Sequence, residues 1–196
     1  MNWYGLRLFA DNRVQFPFQS ALEDFMGVEV HALEIGQHLY GWDPHSWVRS
    51  ESPENDGDPE DVLGEHLGLP IFSGRLRQAL ANVGMGDIQY LPIKVFRSTG
   101  EEIPGFEIAN VITRVPALDY ENSEMLSSSK EMIDPVTNRP KVTGFWQAAL
   151  LSTPLKGHDI VRLVEFGSAV FVSERFAEGF RRGKFTGADL VPVRVT

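Results

Sequence analysis

Residues 3–9 alternate apolar and polar positions with a period of two and predict a first strand. Residues 20–26 predict a short helix that Gly27 stops. Two apolar runs, 88–96 and 106–115, predict strands joined by a turn across 100–105. Residues 122–139 are polar, carry the run Ser127, Ser128, Ser129 and Pro135, and predict a long surface excursion. Residues 160–166 and 169–172 flank Gly167 and Ser168, which predict a hairpin turn.

The pattern also repeats itself. Residues 71–95 lie on residues 171–195 without a gap, so that Ser73 meets Ser173, Arg75 meets Arg175, Pro92 meets Pro192 and Val95 meets Val195. In each copy an apolar stretch leads to a serine able to cap a helix, since its hydroxyl can accept from the free N–H groups of the first turn. Leu76, Leu80 and Val83, or Phe176 and Phe180, then line one helical face. Gly84 or Gly183 stops the helix, and an apolar strand follows. The expectation is two similar Ser-capped helix-plus-strand units. Helices and strands mix without strict βαβ alternation, which predicts a single α+β domain with a mixed, mostly antiparallel sheet and short helices.

Charge divides the chain. Residues 1–68 hold 13 acids against three bases, Arg7, Arg13 and Arg49, whereas residues 69–196 are nearly balanced; the net charge is −9 over 196 residues. We therefore divide the domain into an acidic N-terminal part, 1–68, and a core, 69–196, that carries the repeated units. Between residues 51 and 65 lie Glu51, Glu54, Asp56, Asp58, Glu60, Asp61 and Glu65 with no base among them. Pro53, Gly57 and Pro59 predict a loop for the first half. Asp58 as N-cap with Pro59 after it predicts a short helix running to about Leu67. Such an acidic balance repels phosphate and argues against a nucleic-acid partner. No run approaches the ~20 apolar residues of a membrane helix, and no leader pattern opens the chain, so the expectation is a cytoplasmic protein without a membrane partner.

Chemistry is sparse. The chain has no cysteine, which excludes disulfides, thiolate metal sites and a cysteine nucleophile. His31, His38 and His45 recur every seven residues, but Gly36, Gly41 and Pro44 interrupt any helix that would align them. There is no Gly-x-Ser-x-Gly elbow and no phosphate-binding glycine loop. Asn110 and Asp119 interrupt apolar sequence and predict buried, hydrogen-bonded polar groups. We expect no catalytic residues, no cofactor and no metal. Trp42 and Trp47 flank a proline turn just before the acidic stretch. Large aromatics beside acids suit a protein-recognition patch, and an acidic field speeds encounter with a basic protein.

Residues 70–80 followed by 88–93, the strand entering Ala117-Leu118-Asp119, and residues 172–176 with 185–193 together resemble, in order, the motifs of a bacterial family. The family is immunity protein family eleven of the polymorphic-toxin systems. The resemblance covers roughly residues 69–196. It implies a non-enzymatic inhibitor that binds a cognate toxin inside the producer cell. Recurring positions such as Ser73, Arg75, Pro92, Ser173, Gly187 and Pro192 then belong to the scaffold. Trp42, Trp47, Glu54, Asp56, Asp58, Glu60, Asp61 and Glu65 are the candidate partner-binding residues, facing a basic toxin. Two other classes stay open: a small hydrolase built from His31, His38 and Asp119, and a scaffold module that self-associates. The oligomeric state is not set by the sequence.

Overall fold

Both strand alternation and helical periodicity are realised, but as shorter pieces than the sequence suggests. The computed structural model describes residues 1–8, 18–20, 30–50, 57–64, 68–82, 84–85, 87–126, 132–133 and 138–196. In chain order these form β1 (Trp3–Arg7), β2 (Phe18–Ser20), α1 (Val30–Glu34), β3 (Trp47–Ser50), β4 (Val62–Leu63), β5 (Ile71–Ser73) and α2 (Gly74–Asn82). There follow β6 (Ile88–Pro92), β7 (Lys94–Phe96), β8 (Glu102–Ile103), β9 (Phe106–Val111), β10 (Arg114–Val115), β11 (Glu124–Met125), β12 (Phe145–Gln147) and β13 (Ala149–Leu150). The chain ends with β14 (Ile160–Leu163), β15 (Val170–Ser173), α3 (Glu174–Arg182) and β16 (Asp189–Val195). The fold is α+β.

The strands form a six-stranded sheet, β10-β14-β15-β1-β16-β13, two four-stranded sheets, β4-β5-β9-β6 and β2-β3-β7-β8, and the hairpin β11-β12. Pairing is antiparallel except at β10/β14, β13/β16 and β3/β7. Three cores separate the layers. Leu76, Leu80, Phe176 and Phe180 from α2 and α3 share one with Phe72 and Val111 of one sheet and Tyr4 and Val172 of another. The second lies between sheets, where Ile71, Leu91 and Ile108 meet Val48 and Val95. The third buries Trp3, Phe171 and Val161 under Val115, Leu118 and Leu155.

The two repeated units are the same object built twice. Ser73 Oγ accepts from Leu76 N at 3.2 Å and Ser173 Oγ from Phe176 N at 3.3 Å, which caps each helix. Each helix closes through paired reverse bonds: Met85 N to Leu80 O with Gly84 N to Ala81 O, and Phe185 N to Phe180 O with Lys184 N to Arg181 O. Gly84 (φ 71°) and Lys184 (φ 50°) take the left-handed turn position at the same place. Gly183 itself stays right-handed at φ −72°, one residue before that turn. It lacks a side chain for another reason: a Cβ there would lie 2.2 Å from the Phe185 ring.

Strand order extends the likeness. β4-β5-β9-β6 in the first unit corresponds to β14-β15-β1-β16 in the second. Ser73 lies opposite Phe106 of β9, and Ser173 lies opposite Trp3 of β1; Pro92 lies opposite Glu107, and Pro192 opposite Tyr4. The middle strand of the first unit follows it in the chain. That of the second comes from the other end of the polypeptide.

Several expectations are corrected. Asp58 does not cap a helix: it is exposed, residues 58–61 are irregular with bends at Asp58 and Asp61, and β4 follows. Local capping chemistry there gives way to pairing of Val62 with Phe72, which buries Val62 and Leu63 completely. Residues 88–96 are two strands in two sheets, because the chain crosses between layers at buried Ile93. Residues 106–115 likewise divide into β9 and β10. Ser20 ends β2, and the remainder of the helix expected at 20–26 lies outside the described residues, as do Ser127, Ser128, Ser129 and Pro135. Within the 122–139 excursion, β11 pairs with β12. The hairpin at Gly167 and Ser168 is present as β14-β15.

Candidate functional site

Residues 34–49 enter and leave the body of the protein through an irregular segment that buried side chains hold. The helix α1 ends with Gln37 N bonded to Ala32 O at 2.8 Å and Gly36 N to Leu33 O at 3.1 Å. Gly36 takes φ 67°, and a Cβ there would lie 2.2 Å from Val111 O and 2.7 Å from Arg162 Cδ, so only glycine fits. Three polar side chains from the sheets donate to carbonyls on either side of it. Arg162 Nη1 donates to Glu34 O at 3.0 Å, Asn110 Nδ2 to Gln37 O at 2.8 Å, and Gln89 Nε2 to Leu39 O at 2.7 Å. Gln89 Oε1 also accepts from Leu39 N at 2.9 Å and from Asn110 Nδ2 at 3.1 Å. Gln89 and Asn110 are directly opposite on β6 and β9. Asn110 and Arg162 are each 1% exposed. Among the described residues no carboxylate stands at ion-pair distance from Arg162, and burial, reinforced by Arg114, pulls its guanidinium down to about 10. Burying such groups costs free energy unless they are bonded; here Asn110 and Gln89 bond the segment after Gly36, while Arg162 Nη1 also donates to Gly167 O at 2.5 Å and so joins the end of α1 to the β14–β15 turn.

The loop displays aromatic rings. Tyr40 is 87% exposed, and exposed His38 lies against it with ring centroids 4.6 Å apart. Trp42 is half-buried against the second core, its Nε1 donating to Pro92 O at 2.7 Å. Trp47 begins β3 on the face opposite buried Val48 and meets Phe96 of β7 edge-on at 6.5 Å. The Arg49 guanidinium stands 5.2 Å from the centre of the Trp47 ring and 5.9 Å from that of Phe96. This outward face is therefore aromatic and cationic, an arrangement worth roughly 0.5–1 kcal/mol per cation–ring contact at an exposed site.

The acids divide into two kinds. Asp58 is exposed and Glu60 half-buried, while Glu54, Asp56 and Glu65 lie outside the described residues. Arg97 Nη1 ties the end of the stretch to the β7–β8 hairpin through Gly57 O at 2.8 Å. Asp61 departs from the expected exposed rim. It is 7% exposed, accepts from Ser73 Oγ at 2.8 Å and from Thr186 N at 3.2 Å, and pairs with Arg75. Its carboxylate is committed to the scaffold.

Asp119 is buried and accepts from Thr196 Oγ1 at 2.7 Å and Asn122 Nδ2 at 2.8 Å, which hold its carboxyl below the usual range. His38 packs against Tyr40, whereas Asp119 also accepts from Glu121 N at 3.0 Å and Asn122 N at 3.1 Å. Among the described residues, no group of three or more His, Asp or Glu side chains is placed to hold a metal ion. No helix of the described residues is long and apolar enough to cross a membrane. A cleft of about 330 Å³ between α2 and α3 has Leu80, Met85, Phe180 and Phe185 among its walls, with Arg175, Glu178 and Arg182 beside them.

Sequence reasoning singled out Trp42, Trp47 and Asn110 but missed Tyr40, Arg49, Phe96 and Gln89. Gly36 and Gly41, both with positive φ, bracket Tyr40 and were the available signal for a tightly turned loop. No curated protein matches the chain. The family model described as Immunity protein family (Imm11) matches residues 43–195 and so takes in Trp47, the acidic stretch and both repeated units. With that match over most of its length, the chain belongs to the Imm11 immunity protein family.

Proposed function

We propose that this chain neutralises a cognate antibacterial toxin by stoichiometric binding in the cytoplasm of the producer cell, without cofactor and without turnover. The family match over residues 43–195 carries this reading. The toxin-facing surface is built from Trp42, Trp47 and the acids Glu54, Asp56, Asp58, Glu60 and Glu65. Asp61 supports it from behind, through Arg75 and Ser73.

The physical basis is charge and shape. Thirteen acids against three bases in residues 1–68 attract a basic surface and repel phosphate, so the partner is a basic protein rather than a nucleic acid. Aromatic rings held at the edge of that field supply contact area at small entropic cost.

Co-expression with the toxin domain encoded beside this chain tests the reading. The expected result is rescue of growth and a one-to-one complex on purification. Asp56→Lys with Asp58→Lys is expected to slow association about tenfold or more at low salt, an effect that fades as salt screens the field. Failure of the wild-type chain to bind that toxin domain would remove the proposal.

A further inference from the structure

From the Gln89–Asn110–Arg162 framework we infer that residues 37–42 form a preorganised recognition loop whose anchor is Tyr40, and that it docks in an apolar pocket rimmed by lysine or arginine on the toxin. The inference rests on the toxin-binding reading and deepens it by naming the element that makes contact.

Three observations support it. Tyr40 is 87% exposed, a level at which its ring gains almost nothing from the fold. The loop beneath it is nevertheless held: Asn110 bonds the Gln37 carbonyl, Gln89 bonds both sides of Leu39, and Arg162 bonds Glu34 O at the end of α1, from which the loop departs. Asn110 is a buried polar group, and an apolar pair in place of Gln89 and Asn110 across β6 and β9 would serve a sheet better unless the loop's conformation mattered. A fixed loop with an exposed tyrosine is how a binding surface avoids ordering costs on association.

Charge decides the occupant. Asp43 follows Tyr40 closely and has its side chain turned to the loop, accepting from His45 N at 2.8 Å, and residues 1–68, to which the loop belongs, hold 13 acids against three bases. A phosphate-rich partner is repelled there, whereas a basic-rimmed protein pocket is attracted. Tyrosine brings a flat apolar ring for the pocket and a hydroxyl for its rim.

The test measures binding kinetics of the full chain with the catalytically silenced toxin domain encoded beside it. Tyr40→Ala is expected to raise Kd by about 30-fold or more through faster dissociation, since an interface anchor typically costs this much. Its Tm is expected to stay at the wild-type value, because the ring touches solvent and His38. Gln89→Leu is expected to raise Kd about tenfold although Tyr40 is intact, and to speed hydrogen exchange at the Leu39 amide. If wild type binds tightly and Tyr40→Ala binds equally well, the inference is overturned and the toxin-binding reading survives. If wild type does not bind, both fall. Should Gln89→Leu fail to fold, Tyr40→Ala alone decides.

Discussion

Asp61 and Asp159 accept the same bonds in the two halves of the molecule. Asp61 takes Ser73 Oγ at 2.8 Å and Arg75 Nε at 3.1 Å; Asp159 takes Ser173 Oγ at 2.6 Å and Arg175 Nε at 3.0 Å, and each arginine's second nitrogen completes a bidentate pair. The backbone repeats the motif, with Ser73 N on Asp61 O and Ser173 N on Asp159 O. Each aspartate thus fixes the serine that caps the following helix. Among the described residues, Asp61 alone of the two also accepts across the molecule, from Thr186 N at 3.2 Å.

That asymmetry sets the first expected outcome. Asp159→Ala should destabilise the fold by about 1–3 kcal/mol, the cost of stranding partly buried donors, and Asp61→Ala should cost more because it strands Thr186 N as well. The guanidinium heads are largely exposed, so little of the loss comes from the ion pairs themselves. Urea unfolding midpoints of the two variants measure the difference; equal midpoints would count against it.

Two glycines of the second unit should respond in opposite directions. At Gly179, inside α3, a Cβ meets nothing within 4 Å, so Gly179→Ala should stabilise by about 0.5–1 kcal/mol through helix propensity. At Gly187, φ is +92° and a Cβ would lie 2.0 Å from Val62 O, so Gly187→Ala should destabilise by at least about 2 kcal/mol. Thermal unfolding of both variants, compared at one pH, checks the pair.

Acid should weaken the fold in a defined window. Hydrogen bonds from Thr196 and Asn122 lower the Asp119 carboxyl below 3.8, and those from Tyr4 and Asn2 lower Glu174 below 4.5. A carboxyl depressed in the folded state stabilises above its unfolded value, and that contribution is lost as pH falls through the folded one. Burial raises Glu165 above 4.5 and acts in the opposite sense, favouring the fold as it protonates. Denaturant midpoints should therefore fall from pH 5 to pH 3, and Asp119→Asn should flatten that fall.

Strand β1 makes a topological test available. Trp3 lies opposite Val193 of β16, so a short turn from Thr196 to Met1 would make the second unit continuous, as β6 and β9 belong to one run in the first. A permuted chain opened at the exposed turn of Lys156 and Gly157 should fold with native circular dichroism and a cooperative transition. An uncooperative transition would mean that the order of synthesis, rather than the final pairing, specifies this sheet.

The offset of 100 residues was legible because a serine cap, an apolar stripe and a helix stop are each made by residues a few positions apart. The same columns fail where neighbours differ. Pro92 ends β6, and the chain leaves for another sheet, whereas Pro192 lies within β16, which continues to Val195. Gly183 reads as a stop, yet Lys184 takes the left-handed position that Gly84 takes in the first unit, because Phe185 N must reach Phe180 O. Asp58 carries every local sign of a helix start, and the long-range pairing of Val62 with Phe72 outranks it. At the site, Trp42 and Trp47 were visible as large aromatics near acids, while the backbone leading to Tyr40 is held by Gln89 on Leu39 and Asn110 on Gln37, partners 50 and 73 positions apart.

By itself the sequence determined two capped helical units, their serines and stops, the separation of acid from base, and motifs in the order of an immunity family, all properties written in adjacent residues or in composition. The tertiary structure alone decided that β1 completes the second unit, that Asp61 belongs to the scaffold while Asp58 faces water, and that the amides of Gln89 and Asn110 hold the backbone just before exposed Tyr40. Those outcomes turn on which distant groups share a hydrogen bond or exclude solvent together, and free energy of that kind is defined only once the chain has closed on itself.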